Sequence, residues 1–507
     1  MSSITQAASV LLAAGPGSPD VLVVRRAAGL RFFGGFLAFP GGKVAPLDVR
    51  DEAARADPDA ATVVRRITAA RELFEETGIL LARRPDGSFP PSGPELARLR
   101  QELLAERLSF LEVLSRLNLV LQDTDLVPVG AVTTPPFAPL RFDTLFFLGH
   151  LPPGQQVDLW PGELDQAFWT SAAAVLGRWE RGDCLVSPPT VVILEAIRDR
   201  PADEAPARLG SLFRALAAGA VHPIFFAPDV RMIPLFTHGL PPSACTNAYL
   251  VGRGPVYLLD PGAVAAEEQQ RLFAVLDARQ ATSGRLTAVV LSHQHSDHIG
   301  AAVPCAERYG VPVWAHPLTA RALAGRIPVA RHLHDGERLP LGTAADGTAW
   351  HLEVVHTPGH AAGHLAFYEA HYALLFTGDM VSTLSSVIIA PPDGDLAVYL
   401  DSLRRLRAYP SRLLLPGHGN VSADPVRTID ECLAHRAKRE GMLRATLGTT
   451  PRTVAELAPE LYKGLPADMM RFAECQILAG LHKLRREGRV EEVSAGTEEG
   501  WRLRQAD

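Results

Sequence analysis

The stretch LSHQHSDHIG, residues 291–300, decides the fold of the second half of the chain. It directly follows the run LTAVV, an apolar pattern that is typical of a buried β-strand. His293, His295 and Asp297 are spaced two residues apart, so on an extended segment all three side chains point to the same side, and His298 follows at once. Imidazole and carboxylate groups at this density suit a borderline-soft divalent ion such as zinc. The stretch therefore predicts a metal site at the end of a strand.

Three further candidate ligands follow downstream, each just past an apolar run and beside a glycine. They are His360 in HTPGH, Asp379 in FTGD and His418 in PGHG. Loops at strand ends allow a rigid sheet to present several ligands to one cleft. The chain has 17 histidines, and a lone one such as His351 fits a solvated role. The whole set at matching strand ends instead predicts a metal site.

The H-x-H-x-D-H pattern with a downstream His, Asp and His resembles the signature of the metallo-β-lactamase superfamily. The resemblance implies an αββα sandwich with two metal ions, which we expect to be Zn²⁺, with Mn²⁺ or Fe²⁺ as alternatives. It implies that the first ion is held by His293, His295 and His360, that the second is held by Asp297, His298 and His418, and that Asp379 bridges them. It also implies a catalytic role for Asp297.

The segments TNAYLVG and LLDPGA and the helical C-terminus further resemble the β-lactamase-like protein 2 group, a glyoxalase-II-like branch that includes thioesterases and RNA-cleaving enzymes. Two metals roughly 3.5–4 Å apart would share a hydroxide that attacks a carbonyl carbon or a phosphorus, so no Ser or Cys nucleophile is required. We expect Asp260 to hold a ligand histidine from behind. His364 is a candidate substrate contact, with a structural hydrogen bond as the equal alternative, and we expect His356 to be structural.

A second constellation lies near the N-terminus, in RELFEETGI, residues 71–79. Glu72, Glu75 and Glu76 stand at i, i+3 and i+4, so on a helix their carboxylates share one face. The three carboxylates would repel one another, and a hard cation such as Mg²⁺ or Mn²⁺ would neutralise them. Arg71 is placed to orient a carboxylate, and Gly78 stands where the helix would end.

This segment resembles the second half of the Nudix box at every specified position. The first half departs from the box, because Asp48 replaces a glutamate and about fifteen residues are inserted. A split box of this kind is similar to Nudix hydrolases of the coenzyme A diphosphatase type, and LVVRRAAGLRFFGGFLAFPGG approximates their coenzyme A motif. The resemblance implies hydrolysis of a nucleoside diphosphate derivative, with Glu72, Glu75 and Glu76 as metal-binding and catalytic residues. Arg71, Gly41 and Gly42 become candidate substrate contacts, and Glu163 a weaker acidic candidate.

Composition and charge limit the classes of protein to which the chain can belong. The chain has 507 residues, 47% of them apolar and 21% charged, which excludes wholesale disorder. A net charge of −6 gives no general attraction to nucleic acid or acidic membranes. The five cysteines form no C-x-x-C pair and predict no thiolate metal site. No window reaches the roughly 18 apolar residues that a membrane span needs, so we expect no membrane partner and a cytoplasmic location.

These patterns predict a multidomain chain of α/β and α+β class. We expect a Nudix α/β/α sandwich over 1–200, a linker with a short helix over 201–228, an αββα metallo-β-lactamase sandwich over 229–431 and a winged-helix tail over 432–507. Apolar residues at three- and four-residue intervals predict a helix over 95–121.

The tail carries a basic segment, LHKLRREGRVEEV, with Lys483, Arg485, Arg486 and Arg489. Neighbouring glutamates nearly cancel its charge, and no aromatic residues interleave for base stacking. We favour a packing element, a homodimer contact or a lid wall of the metal cleft over nucleic-acid binding.

The leading hypothesis is a bifunctional metal-dependent hydrolase acting on small molecules. The di-metal site would open a thioester such as acyl-CoA, and the Nudix site would cut a diphosphate. One alternative is a metal-dependent endoribonuclease or phosphodiesterase with a nucleotide-binding Nudix domain and RNA as its partner. Another is a non-enzymatic nucleotide sensor whose winged helix binds DNA.

Overall fold

The computed structural model describes residues 4–30, 33–49, 58–138, 140–160, 162–282, 284–495 and 498–504. The chain forms two compact units, Met1–Ile233 and Pro234–Asp507. Part of the sequence that approximates the coenzyme A motif (31–32) and part of the insertion in the Nudix box (50–57) lie outside the described residues. Among the described helices, none combines the length and the apolar character that crossing a bilayer requires.

The first unit is an α/β/α sandwich, as the sequence predicts. Its strands are β1 (Ile4–Ala13), β2 (Asp20–Arg26), β3 (Phe36–Ala38), β4 (Gly41–Lys43), β5 (Val127–Thr133), β6 (Arg141–His150), β7 (Leu164–Ser171), β8 (Leu185–Val186) and β9 (Ile224–Ala227). Its helices are α1 (Pro58–Thr77), α2 (Pro94–Leu104), α3 (Phe110–Arg116), α4 (Ala172–Glu180), α5 (Pro188–Ala196) and α6 (Ala205–Ala217). The order β5-β6-β1-β2-β3-β8 forms the main sheet, with β4 beside β1 and β7 beside β2.

Strand β1 lies near the centre of that sheet and shows how the layers are built. It pairs in parallel with β6 over its whole length. Because successive strand residues face opposite sides, Val10 and Leu12 join the core under α1–α3, whereas Leu11 and Ala13 join the core under α4–α6. The apolar run that the sequence shows is therefore a strand buried on both faces.

The segment predicted as a linker is packed rather than free. Helix α6 contributes Leu209, Phe213 and Leu216 to the core of the first unit. The Phe213 ring lies so close to Gly130 that a Cβ there would stand 2.0 Å from it. The compact first unit therefore continues to Ile233, and β10 (Val230–Phe236) crosses the boundary between the units.

The second unit contains two sheets with helices on their outer faces, the αββα arrangement that the resemblance implies. Besides β10, which pairs with β11, the first sheet includes β11 (Cys245–Val251), β12 (Pro255–Leu259), β13 (Arg285–Val290), β14 (Val313–Ala315) and β15 (Val329–His332). The second sheet holds β16 (Arg338–Thr343), β17 (Ala349–His356), β18 (Leu365–Glu369), β19 (Leu374–Ser382) and β20 (Leu413–His418). The helices are α7 (Ala266–Thr282), α8 (Ser296–Ile299), α9 (Ala302–Tyr309), α10 (Pro317–Ala322) and α11 (Leu396–Arg407).

The C-terminal region follows as α12 (Pro425–Leu447), α13 (Val454–Leu461), α14 (Met470–Arg486) and the hairpin β21 (Val490–Ala495) and β22 (Glu498–Leu503), a winged-helix arrangement. Trp501 is buried in its small core. Helix α12 belongs to both regions, because Ile429 packs in the core of the second sheet and Leu447 in that of the winged helix. The predicted boundary at 431/432 therefore falls inside one continuous helix.

Candidate active sites

Seven candidate ligands converge at one edge of the two sheets in the second unit. His293 and His295 follow β13, and His360 lies in the turn between β17 and β18. Asp297 and His298 belong to α8, so the chain is no longer extended where the sequence analysis assumed it to be. Asp379 lies inside β19, at an irregularity in its pairing with β20, and His418 ends β20.

The donor atoms of His293, His295 and His360 form the tighter group, all within 4.8 Å of one another. His295 Nδ1 lies 3.0 Å from His293 Nε2 and 2.9 Å from His360 Nε2. Ring nitrogens this close, with no carboxylate among them, leave lone pairs facing a common point. A divalent cation at that point would satisfy all three.

Asp297, His298 and His418 form a second group of donors within the same limit. The Nε2 atoms of His298 and His418 lie 3.3 Å apart, and Asp297 Oδ2 lies 3.4 Å from His418 Nε2. Asp379 stands between the groups, with Oδ1 3.2 Å from His298 Nε2 and Oδ2 3.7 Å from His360 Nε2. Its Oδ1 is buried and makes no hydrogen bond to any described residue, as expected of a ligand aimed at an ion.

Contacts on the far side of the rings fix which nitrogen faces the centre. His298 Nδ1 donates to Asp260 Oδ2 at 3.0 Å, and His360 Nδ1 donates to the Ile388 carbonyl at 2.8 Å. His418 Nδ1 likewise donates to the Cys245 carbonyl at 2.9 Å. Because a carbonyl or carboxylate only accepts, the proton sits on Nδ1 and leaves Nε2 as a lone pair. These contacts therefore orient all three rings with Nε2 toward the centre of the cluster.

Asp260 anchors this arrangement, as the sequence analysis expected. Its Oδ1 accepts from the Ser292 amide at 2.7 Å, and its Oδ2 accepts from the Ser292 hydroxyl at 2.7 Å as well as from His298. Ser292 Oγ then lies 2.9 Å from His293 Nδ1. One buried carboxylate thus positions a histidine of each group. Ser292 was missed from the sequence, although it directly precedes the motif.

Burial and neighbouring charges set the protonation of the cluster. Burial lowers the pKa of His360 to about 4 and the pKa of His293 well below its usual range, so both rings are neutral. Burial also opposes the charged form of His418, but the carboxylates of Asp379 and Asp297 outweigh it and raise the pKa of His418 to about 10. The same carboxylates would attract a divalent cation in place of that proton.

His364 does not lie where the substrate-contact prediction put it. The ring is fully buried, Nε2 accepts from the Asp379 amide at 3.1 Å, and Nδ1 lies 2.9 Å from Thr357 Oγ1. With both nitrogens engaged inside the protein, the ring positions Asp379, the structural alternative considered above. Gly378 makes room for it, because a Cβ there would stand 2.7 Å from His364 Nε2.

The second candidate site lies in the first unit, on α1. Gly41 donates its amide to Glu76 Oε2 at 3.0 Å, and a Cβ on Gly42 would stand 2.4 Å from Glu72 Oε1. The glycine strand β4 therefore packs directly on two of the three carboxylates. Arg71 Nη1 donates to Glu75 Oε2 at 2.7 Å. Among the described residues, no group of three donors within 4.8 Å includes these glutamates.

Asp48 acts as the anchor of Arg71 rather than as a fourth member of the acidic face. It is buried and accepts from Arg71 Nε at 2.8 Å and Nη2 at 2.9 Å. Burial raises the pKa of Glu72 to about 7, although Arg71 opposes this, and burial raises the pKa of Glu76 well above its usual range. Burial and, more weakly, the charges of Asp48 and Glu163 raise the pKa of Glu75. Like charges crowded into a desolvated face suit a hard cation.

Comparisons with known proteins match three regions of the chain to family models. Residues 246–418 match the model of the metallo-beta-lactamase superfamily, residues 45–197 that of the NUDT19 Nudix domain, and residues 453–501 that of the beta-lactamase associated winged helix domain. The chain is 27% identical over 277 residues to a beta-lactamase-like protein 2 homolog of Drosophila melanogaster, covering 52% of this chain and 90% of that relative.

Two fungal relatives are about as similar. The lactamase-like protein nscB of Arthroderma gypseum is 30% identical over 265 residues, covering 48% of this chain and 78% of that protein. An atrochrysone carboxyl ACP thioesterase of Emericella nidulans is 30% identical over 207 residues, covering 40% of this chain and 60% of that protein.

Fold and sites together define a metal-dependent hydrolase with two hydrolase domains. Because both matched domains are hydrolase domains, the comparisons do not support the alternative of a non-enzymatic nucleotide sensor. Within that class, the chain belongs to the metallo-β-lactamase superfamily and carries a Nudix domain ahead of its metallo-β-lactamase domain and a winged helix after it.

Proposed function

We propose that the second unit hydrolyses an acyl thioester such as acyl-CoA, and that the first unit hydrolyses the diphosphate of a coenzyme-A-like nucleoside derivative. The observation that carries the proposal is the convergence of five histidines and two aspartates on one buried centre. The thioester is favoured over a phosphodiester because the four cations of the basic segment, Lys483, Arg485, Arg486 and Arg489, are each paired with an acid, and because one relative's name is that of an ACP thioesterase.

We assign His293, His295 and His360 to one zinc ion, Asp297, His298 and His418 to a second, and Asp379 to both. Mn²⁺ and Fe²⁺ are the alternatives. When bound, the two ions lower the pKa of the attacking water and polarise the carbonyl. Within the chain, Asp260 and the Ile388 carbonyl hold the rings that face the centre. Asp297 is assigned a catalytic role, as a carboxylate beside the reacting group that can accept a proton.

In the first unit we assign Glu72, Glu75 and Glu76 to Mg²⁺ or Mn²⁺, which would neutralise the diphosphate. Arg71 keeps Glu75 in place, the Gly41 amide donates to Glu76, and Gly42 packs against Glu72. The assignment supports hydrolysis of a nucleoside diphosphate linked to a second group. A location in the cytoplasm and a homodimer stay predictions.

The test uses purified full-length protein, elemental analysis and chromatography of acyl-CoA reaction products. We expect His295→Ala to abolish release of free coenzyme A thiol while leaving diphosphate cleavage intact. Glu76→Gln is expected to do the reverse. His351→Ala, an exposed histidine on β17, is the matched control and should change neither activity.

Two results would overturn the proposal. One is the absence of both free thiol and phosphopantetheine products from every acyl-CoA tested. The other is cleavage of single-stranded RNA that His295→Ala abolishes, without thioester hydrolysis by the wild type, because that outcome selects the phosphodiesterase alternative.

A further inference from the structure

A cavity of about 720 Å³ runs from the di-metal centre into the C-terminal helices. At one end it is lined by His295, Asp297, His360, Asp379 and His418. At the other end it is lined by side chains of α12, α13, α14 and the turn before α14. The volume lies within the range of about 300–1,000 Å³ that is usual for small-molecule sites. The cavity therefore joins a polar reaction centre to a remote pocket.

The remote pocket is predominantly apolar. Its apolar wall consists of Leu443, Leu461, Tyr462, Leu465, Met469, Phe472 and Ile477. Leu443, Leu461 and Ile477 are buried, but Tyr462, Leu465, Met469 and Phe472 are only partly covered by protein. Apolar side chains that converge on an open cavity mark a site for an apolar ligand group.

The cations on this wall are already engaged within the protein. Arg436 donates to the Val387 carbonyl and, at 3.1 Å, to Gln476 Oε1. Arg439 donates to the Leu461 carbonyl at 3.3 Å and stacks 3.8 Å above the Tyr462 ring. The pocket therefore presents no track of uncommitted cations for a polyanion such as RNA.

The loop between β19 and α11 links the pocket to the metal centre. Val387 and Ile388 both line the cavity. The Ile388 carbonyl orients His360, while the Val387 carbonyl accepts from Arg436 and from Gln476 Nε2, the latter at 2.7 Å. Pocket wall and metal ligand are thus parts of one hydrogen-bonded assembly.

Building on the proposed thioesterase function, we infer that the remote pocket holds the acyl chain of the substrate, and that Met469 and Phe472 set the preferred chain length. A thioester with an extended saturated chain matches the cavity, with its carbonyl at the metal centre and its apolar tail among the helices. Each methylene that enters the pocket should raise kcat/KM roughly three- to fourfold until the pocket is filled.

The experiment measures kcat/KM for acyl-CoA substrates from two to sixteen carbons. Met469→Trp fills the pocket and should lower the ratio of long-chain to acetyl kcat/KM at least tenfold. Phe472→Ala enlarges the pocket and should shift the optimum to longer chains. The control is Met442→Trp, the same exchange at an exposed methionine of α12 outside the cavity lining, which should leave the profile unchanged. Thermal melts verify that each variant folds.

A chain-length profile that is the same in wild type and Met469→Trp overturns the inference while leaving thioester hydrolysis intact. Failure to hydrolyse any acyl-CoA overturns the proposed function instead. A fluorescent sixteen-carbon fatty acid then decides the inference separately. Binding to wild type that weakens at least tenfold in Met469→Trp supports the acyl pocket, and no binding, or equal binding to both, refutes it.

Discussion

The substitution Arg436→Met tests whether the C-terminal helices hold the proposed di-metal centre in shape. Arg436 is a buried residue of α12 whose guanidinium donates to the Val387 carbonyl and to Gln476, and lies 5.1 Å from the centre of the Tyr399 ring. Methionine keeps most of the apolar stem and removes the charged group. The next carbonyl in the chain, that of Ile388, orients His360.

The loss of stability expected for Arg436→Met follows from these contacts. Hydrogen bonds from a charged donor are worth about 1.5–3 kcal/mol, and the contact with Tyr399 adds about 0.5–1 kcal/mol. Val387 keeps the amide of Gln476 as a donor, so the Val387 carbonyl keeps a hydrogen-bond partner. We therefore expect the free energy of unfolding of the second unit to fall by roughly 2–4 kcal/mol.

The effect on the metal should be larger than this stability loss alone explains. Partners that hold a ligand from behind typically contribute about 10–100-fold in metal affinity. Arg436 acts on His360 through one additional link, so we expect a loss near tenfold. Zinc competition with a chromophoric chelator measures the affinity, and urea unfolding measures the stability.

The matched control is Arg486→Met on α14. Arg486 pairs with Asp395 at 2.6 Å, but both side chains are substantially exposed, and such a pair contributes at most about 1 kcal/mol. Zinc affinity should not change in this variant. An Arg436→Met protein that loses stability yet binds zinc as tightly as the wild type would refute the link between helix α12 and the metal centre.

The remaining predictions concern the two sites directly. Asp260→Asn should weaken zinc binding about 10–100-fold in chelator competition, because the negative partner of His298 is lost; a change below twofold would contradict this role. A strong chelator should lower the Tm of the second unit reversibly, because metal at about a thousand times its Kd stabilises the folded state by about 4 kcal/mol. An unchanged Tm would argue against bound metal. Burial raises the pKa of Glu72 to about 7 from its ordinary 4.5, so the stability from this group is full below pH 4.5 and lost as pH rises through 7. The metal-free first unit should therefore lose roughly 3 kcal/mol between pH 4 and 8, Glu72→Gln should lose less, and equal losses in urea unfolding would contradict this origin.

The convergence of the seven candidate ligands of the second unit could be predicted from the sequence because these residues are dense and recur at strand ends. His360 and His418 each lie at the end of an apolar strand pattern, and the strands bring their ends to one edge. The Nudix glutamates were accessible for a similar reason, since a helical interval places them on one face. In both cases the local pattern specifies the strand end or helix face that carries the residues, and the fold then brings them together.

The contacts behind the ligands were less accessible, because they depend on tertiary packing. His364 has the same spacing from His360 whether it faces the cavity or the Asp379 amide, and only the fold selects the latter. The predicted helix over 95–121 is two helices, α2 and α3. Glu106 adopts a positive φ of 55°, and Ser109 begins α3 with a capping box to Glu112. The apolar interval continues through that break, so periodicity alone does not reveal it.

The basic segment of the tail is neutralised, as its sequence suggests, but partly by an acid that is distant in the sequence. Local glutamates suggested that the basic segment is neutralised, and Glu487 and Glu492 do pair with Lys483 and Arg485. Lys483 also pairs with Glu440 of α12, a contact that spans 43 residues, at 2.6 Å. Such contacts engage the basic face of α14 within the protein, whereas the apolar face of the same helix lines the cavity that reaches the candidate metal ligands.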